Sequence, residues 1–341
     1  MKRLTKKLIL QQKRKKKQRE KALRRIRLKK RREQKRIHTL NEIVMTAPET
    51  FDIHMEEHRH SLLEFIKNLQ KQLEKPSARK IVLDFRQTKK FVVTGTLLFF
   101  ARLSHLMGIR NRQITLKCKP PRNSKANQVL EQIGVYKLCG YHFTGKLKDS
   151  DVVHWQVARG TVVDAKYYAH TIEKHEGSLA EPLVRGVFRG MAEAMTNVMH
   201  HAYMDTGDGK SPPKNLGWWV FSQDKDGYLS VAMCDLGIGI PKTLPRKFRA
   251  LFNNLLERFG APTDAQCIVA SVEESKSRTR QRERGKGLGD IIAAAGGDGT
   301  VMIHSNKGCY VSERGRVSHY NYKNDLEGTL VFWSLPLAKE N

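Results

Sequence analysis

A chain of 341 residues with 39% hydrophobic content is long enough for two ordinary domains and apolar enough to build real cores. Its formal charge of +29 is unevenly spread: residues 1–36 hold 20 Lys and Arg against 2 Asp and Glu, a net of +18, and the remainder carries +11. Five scattered cysteines with no C-x-x-C pair exclude a disulfide framework and a zinc pattern, no apolar run approaches the ~20 residues of a membrane span, and the first 36 residues hold neither an apolar signal region nor a serine, so a reducing, cytoplasmic setting is expected.

In chain order, residues 1–45 read as a basic arm, helical or disordered, rich in helix formers and free of Gly and Pro through residue 36. Such an arm attracts phosphate, on nucleic acid or another polyanion, or it solubilises the chain as a tail; with no aromatic ring to stack on bases, base recognition is not expected of it. Residues 50–75 read as one amphipathic helix ending near Pro76. "KIVLDF" (80–85) reads as a buried strand, "TGTLLFFARLSHLMG" (94–108) as a helix, "QITLKCK" (113–119) as a strand, and "NSKANQVLEQIGVYKL" (123–138) as a helix capped by Asn123 or Ser124. Residues 46–140 thus form one small α/β layer, and 141–178 a connector with one strand candidate, "DVVHWQVARG".

Residues 179–341 form a second unit. A long helix leads into "GWWVFSQDKDGYLSVAMCDLGIGIP", two strands joined by an Asp-Gly turn and ending in a Gly-rich loop. "LPRKFRALFNNLLERFG" reads as a helix, "SVEESKSRTRQRERGKGLGD" as a polar stretch, and "DIIAAAGG" as a helix. "GTVMIHS", a hairpin over "GCYVSERGRVSHYNYK", and "GTLVFWSLP" close the sheet. The fold class expected is α/β (α+β): a basic helical arm, a small layer, then a larger sandwich.

Chemistry concentrates in the second unit. In "MAEAMTNVMHHAY", Glu193, Asn197 and His201 recur every four residues, so a helix stacks them on one face. "DLGIGIP" places Asp235 at a strand end with Gly237, Gly239 and Ile240 behind it. "GKGLGD" sets Gly285, Lys286, Gly287, Leu288 and Gly289 at a helix start, and Gly328–Thr329 opens the last strand. A buried carboxylate accepts from an exocyclic amine, glycines let a flat base lie on the backbone, and amides at a helix start favour phosphate. Asn197 offers a neutral oxygen to Mg²⁺, and Glu193, one turn earlier, is placed to polarise water.

These ordered motifs resemble those of the GHKL (Bergerat-fold) ATPase superfamily, which includes gyrase and histidine kinases, and look most like its anti-sigma-factor serine kinase branch. The resemblance spans about residues 179–337, and there is no G-x-x-x-x-G-K-[ST] loop. It implies a Bergerat-type sandwich binding ATP and Mg²⁺, with Glu193 as general base, Asn197 as metal ligand and Asp235 as adenine acceptor, with Thr329 beside it. It further implies an adenine loop at Gly237 and Gly239, a phosphate loop at Gly285, Gly287, Leu288 and Gly289, and a lid over residues 242–284. Arg278 to Arg284 and Lys286 then either touch the terminal phosphate or form a solvated face. One of His200 and His201 is expected to pack beside the site.

Residues 79–140 resemble a STAS domain of the anti-anti-sigma type. That family carries Asp-Ser before its helix, whereas "FVVTGT" has Val93 at the Asp position; Thr94 or Thr96 either replaces the phosphorylated Ser or simply caps the helix. His58 and His60 lack the acceptor sequence of a sensor histidine kinase and read as surface histidines. Three functions follow as expectations. The first is an ATP-driven switch with slow hydrolysis, controlling a protein partner and, as the resemblance implies, coupled to homodimerisation. The second is a Ser/Thr kinase acting on a STAS-like partner. The third is a nucleic-acid-binding scaffold in which ATP is a structural ligand.

Overall fold

The computed structural model describes residues 18, 20–26, 28, 42–75, 79–109, 114–149, 156–162, 181–203, 217–278, 287–295 and 297–337. The described residues between 18 and 28 are helical and exposed; the rest of the 1–36 arm lies outside the described residues. The chain is mixed α/β with several sheets. Among the described residues no helix is long and apolar enough to cross a membrane.

The small layer is a parallel three-stranded sheet. Strand β1 (Glu42–Thr46) lies beside β3 (Arg79–Asp84), which lies beside β5 (Ile114–Lys119). β1 begins inside the segment expected to be arm: "EIVMT" is a short β-branched run that the neighbouring basic residues obscure. A two-stranded parallel pair, β2 (Thr50–Phe51) with β4 (Lys90–Phe91), sits alongside. Helix α1 (Glu56–Glu74) is shorter than the 50–75 expected, and buries Arg59, Leu62, Phe65, Ile66, Leu69 and Leu73 at helical spacing. Helix α2 (Val93–Ile109) is apolar nearly all round, as a helix covered on every side must be. The helix expected over 123–138 is two: α3 (Ser124–Gln132), capped by the Asn123 side chain accepting from Ala126 N–H at 2.9 Å, and α4 (Val135–Cys139). Gly134, at φ 82°, separates them in a conformation that ends a helix.

The larger sheet has seven antiparallel strands in the order β11-β10-β9-β12-β8-β7-β6. They are β6 (Gln156–Gly160), β7 (Trp218–Lys225), β8 (Tyr228–Asp235), β9 (Thr300–Ser305), β10 (Gly308–Glu313), β11 (Arg316–Asn321) and β12 (Thr329–Pro336). β6 falls within the expected connector and pairs with β7, so this unit starts before residue 179. The β7–β8 hairpin turns at Asp226 and Gly227, both at positive φ, as the Asp-Gly pair predicts.

Alternation along the strands gives the sheet two buried faces. Trp218, Val220, Val231, Met233, Val331 and Trp333 face a helical layer. That layer comprises α5 (Glu181–Asn197), α8 (Asp264–Arg278) and α9 (Gly287–Ala293). α5 and α9 approach closely because Gly190 leaves room: a Cβ there would lie 2.9 Å from that of Ala294. The opposite face, Trp219, Phe221, Ala232, Cys234 and Leu330, shares one core with Leu97, Leu98, Ala101 and Phe99 of the small layer. Helix α2 therefore lies between the two sheets.

The single helix expected over 244–260 is two, α6 (Ile240–Lys247) and α7 (Arg249–Phe259). Pro245 lacks an N–H for the ladder, and the chain turns at Phe248 (φ −126°, ψ 53°). The polar stretch from Ser271 is helical as far as Arg278, because Ala265, Ile268, Val272 and Ser275 make a buried stripe on α8. Leu244, Leu255, Cys267 and Ala270 give these three helices a small core of their own.

Candidate functional site

At the C-terminal end of β8 the sheet, α5 and the three-helix element surround a cavity of about 200 Å³. Its floor is Met233, Asp235, Thr329 and Val331. One wall is Ala194, Asn197 and Val198; the other includes Ile240, Thr243 and Leu244, and Phe248, Ser275 and Leu288 help to close it. Most of this lining is apolar, and two carboxylates are set into it, the buried Asp235 and the half-buried Glu274.

Asp235 ends β8, opposite Trp218 on one side and Thr329 on the other. It is buried, and its Oδ1 accepts the Gly237 N–H at 2.8 Å. Burial pushes its carboxyl up to about 6, against the opposing pull of the Gly237 and Thr329 amides and of the Arg102 guanidinium. Thr329 Oγ1 lies 3.1 Å from Ser305 Oγ, which also accepts the Ile240 N–H at 2.8 Å. Ser305 thus ties the loop after β8 to the ends of β9 and β12.

Immediately after Asn197, α5 gives way to a π-helical turn, Val198–Ala202. The turn presents the Ala202 carbonyl to the Ile238 N–H at 3.0 Å. Tyr203 then donates its hydroxyl to the Gly217 carbonyl at 2.6 Å and accepts the Leu236 N–H at 3.0 Å, holding the start of β7 and the end of β8 together.

The structure brings Asn197, Asp235, Gly239, Ile240, Leu288 and Thr329 around this one cavity. Glu193 does not line it; the residue sits one turn back on α5 and is half-buried. Gly287 starts α9, and Gly289 donates its N–H to Ser275 Oγ of α8 at 2.9 Å. Gly285, Lys286 and the side chains of Arg278 to Arg284 lie outside the described residues, as does the side chain of His201; His200 is exposed.

Two of the glycines are also packing requirements. A Cβ on Gly237 would collide with the Ala202 carbonyl, and one on Gly239 (φ 84°) with the Asn306 side chain. Both glycines let protein segments meet, and Gly239 also lines the cavity. The threonines also resolve. Thr94 and Thr96 are fully buried: Thr96 Oγ1 donates to the Val92 carbonyl at 2.7 Å, and Thr94 Oγ1 lies 2.9 Å from His54 Nε2. Neither presents a hydroxyl to a phosphoryl donor in this conformation. His58 and His60 lie on α1; His58 Nδ1 is 3.4 Å from Asp52, and His60 is exposed.

Sequence reading missed Tyr203, Ser275, Ser305 and the arginines of the small layer. Only Asn306 carried a local sign, since "SNKG" is a turn sequence and Asn306 takes φ 53°. Among the described residues no three His, Cys, Asp or Glu side chains form a metal cluster. A divalent ion here would rest on Asn197 and on oxygens of its ligand. No family model matches the chain, and no curated protein matches it at a significant level.

Proposed function

We propose that the chain is an Mg-ATP-binding regulatory protein of the GHKL kind, in which slow hydrolysis drives a switch acting on a protein partner. One observation carries this reading: a single buried carboxylate, Asp235, lies in a mostly apolar cavity opposite Thr329 and below Asn197. Glu274 also lines the cavity but is only half-buried, and an apolar slot with one buried acceptor on its floor suits a flat heterocycle bearing an exocyclic amine. In this role Asp235 accepts from the amine, and Met233, Val331 and Ile240 enclose the ring. Asn197 contributes a neutral oxygen toward the metal. Bound Mg²⁺ would supply charge neutralisation on the phosphates. Glu193, set back one turn, would hold the proton of an attacking water.

Calorimetric titration of the full chain with Mg-ATP tests the binding. Saturable binding that is lost in D235N is expected, and equal binding by D235N removes the reading. An ATPase assay on Glu193→Ala tests hydrolysis, and unchanged turnover would take Glu193 out of it. The burial of Thr94 and Thr96 counts against transfer onto the chain's own small layer. Transfer of γ-label from ATP to a separate protein would favour the kinase alternative.

A further inference from the structure

The segment from Ser305 to Thr329 forms the β10–β11 hairpin and closes on itself, Ser305 Oγ lying 3.1 Å from Thr329 Oγ1, and reaches the cavity at Thr329. Its return leg is held from two sides. The Leu326 N–H donates to the Asn306 carbonyl at 3.1 Å, and the Gly328 carbonyl accepts from the Asn306 N–H and Ser305 Oγ, both at 3.2 Å. The small layer grips it from the other side. Arg102 on α2 donates through Nη2 to the Leu326 carbonyl at 3.0 Å and to the Glu327 carbonyl, and lies 3.6 Å from the Glu327 carboxylate. Arg59 on α1 is fully buried. It donates to the carbonyls of Asn306 (2.9 Å) and Asn324 (3.2 Å) and stacks over Tyr322 at 4.0 Å.

The corner held by Arg102 is a strained one. Glu327 at φ 55° and Gly328 at φ 139° both have positive φ, and a non-glycine residue pays for that conformation unless its surroundings impose it. Thr329 follows directly and faces Asp235 in register. Gly328 packs so tightly on the Asp235 carbonyl that no Cβ fits between them. A shift at 326–328 therefore moves Thr329 and crowds Asp235 at once.

We infer that Arg102 is a positioning residue for the cavity, through which the small layer sets nucleotide affinity. This rests on the proposed ATP binding. By linkage the coupling is reciprocal: a nucleotide in the cavity strengthens the docking of the small layer, and a partner that pulls that layer away releases the nucleotide. The guanidinium also favours the ionised form of Asp235, so the same side chain supports both the shape and the charge of the site.

The test titrates full-length wild type, R102M and R102K with Mg-ATP across pH 5.5–8. R102M is expected to bind at least tenfold more weakly at pH 7.5, with R102K intermediate. The pH at which affinity falls away should move upward in R102M, a change that loose packing alone would not produce. Introducing Glu327→Gly into R102M relieves the positive-φ corner and should recover much of the affinity; the double variant also serves if R102M alone folds poorly. Wild-type affinity and an unchanged pH profile in R102M overturn the inference while ATP binding stands. If wild type itself binds no ATP, the proposed function fails, and this inference with it.

Discussion

The indole Nε1 of Trp219 donates to Ser104 Oγ at 2.8 Å across the seam between the small layer and the seven-stranded sheet, with both groups buried. Removing one partner leaves the other unsatisfied in an apolar core, which costs about 1–3 kcal/mol. Ser104→Ala is expected to lower stability by that amount in denaturant unfolding. In W219F the same serine change should cost much less, because no indole N–H remains to be orphaned. Equal effects of Ser104→Ala in both backgrounds would show that the hydrogen bond contributes nothing.

Under the proposed ATP binding, Asp235 links stability and affinity through pH with opposite signs. Its carboxyl is pushed up to about 6, above the ordinary 3.8, so the folded chain holds this proton more tightly than the unfolded one. Stability from this group therefore rises as pH falls from about 6 to about 4, and above 6 the buried charge is a cost of up to roughly 3 kcal/mol. D235N is expected to raise the unfolding midpoint at pH 7.5 and to make little difference at pH 4. ATP affinity of the wild type should instead decline as pH falls through about 6, where the acceptor loses its charge. Calorimetry at both pH values separates the two effects.

Ser275 accepts the Gly289 amide, one of the N–H groups the family resemblance assigns to phosphate. Under the proposed ATP binding, a phosphate on that amide would displace the serine hydroxyl. Ser275→Ala is expected to speed hydrogen exchange at Gly289 in the free protein and to tighten ATP binding several-fold. Slower exchange, or weaker ATP binding, would mean that Ser275 supports the bound state instead.

Gly95, in the first turn of α2, is a packing requirement. A Cβ there would stand 2.7 Å from backbone atoms of Phe51 and Asp52. Gly95→Ala is expected to destabilise by about 1–3 kcal/mol, since rigid backbone must give way. A neutral result in thermal unfolding would show that β2 can move aside.

Much of the fold could be read from local pattern. "KIVLDF" and "GTLVFWSLP" are dominated by apolar residues, and Asp226-Gly227 marks its hairpin without help from the rest of the chain. Helix α8 was not legible, because the charges of "SVEESKSR" hide its stripe of Ala265, Ile268, Val272 and Ser275. "GWWVF" signals a strand buried on both faces, but nothing in it says that α2 covers the second face. Around the cavity, residue types were easier to read than their reasons. Asp235, Asn197, Thr329 and Gly239 lie together, and Gly237 and Gly239 also serve chain packing, which the motif alone does not reveal. Arg59 and Arg102 were beyond reach, since the carbonyls they bind are 247 and 224 residues away in sequence.

The position of α2 between two sheets sets a timetable for synthesis. Its inner face can pack as soon as β1, β3 and β5 exist, but its outer face meets β7, β8 and β12, the last of which ends at Pro336. A ribosome adding ~5–20 residues per second needs roughly 10–50 s to cover that gap. For that interval the nascent chain carries an uncovered apolar helix surface, a natural binding site for a chaperone. A fragment starting after the small layer has the converse problem, with Trp219, Phe221 and Leu330 facing water. The two halves made separately are each other's missing cover, and should recover a folded molecule only when mixed.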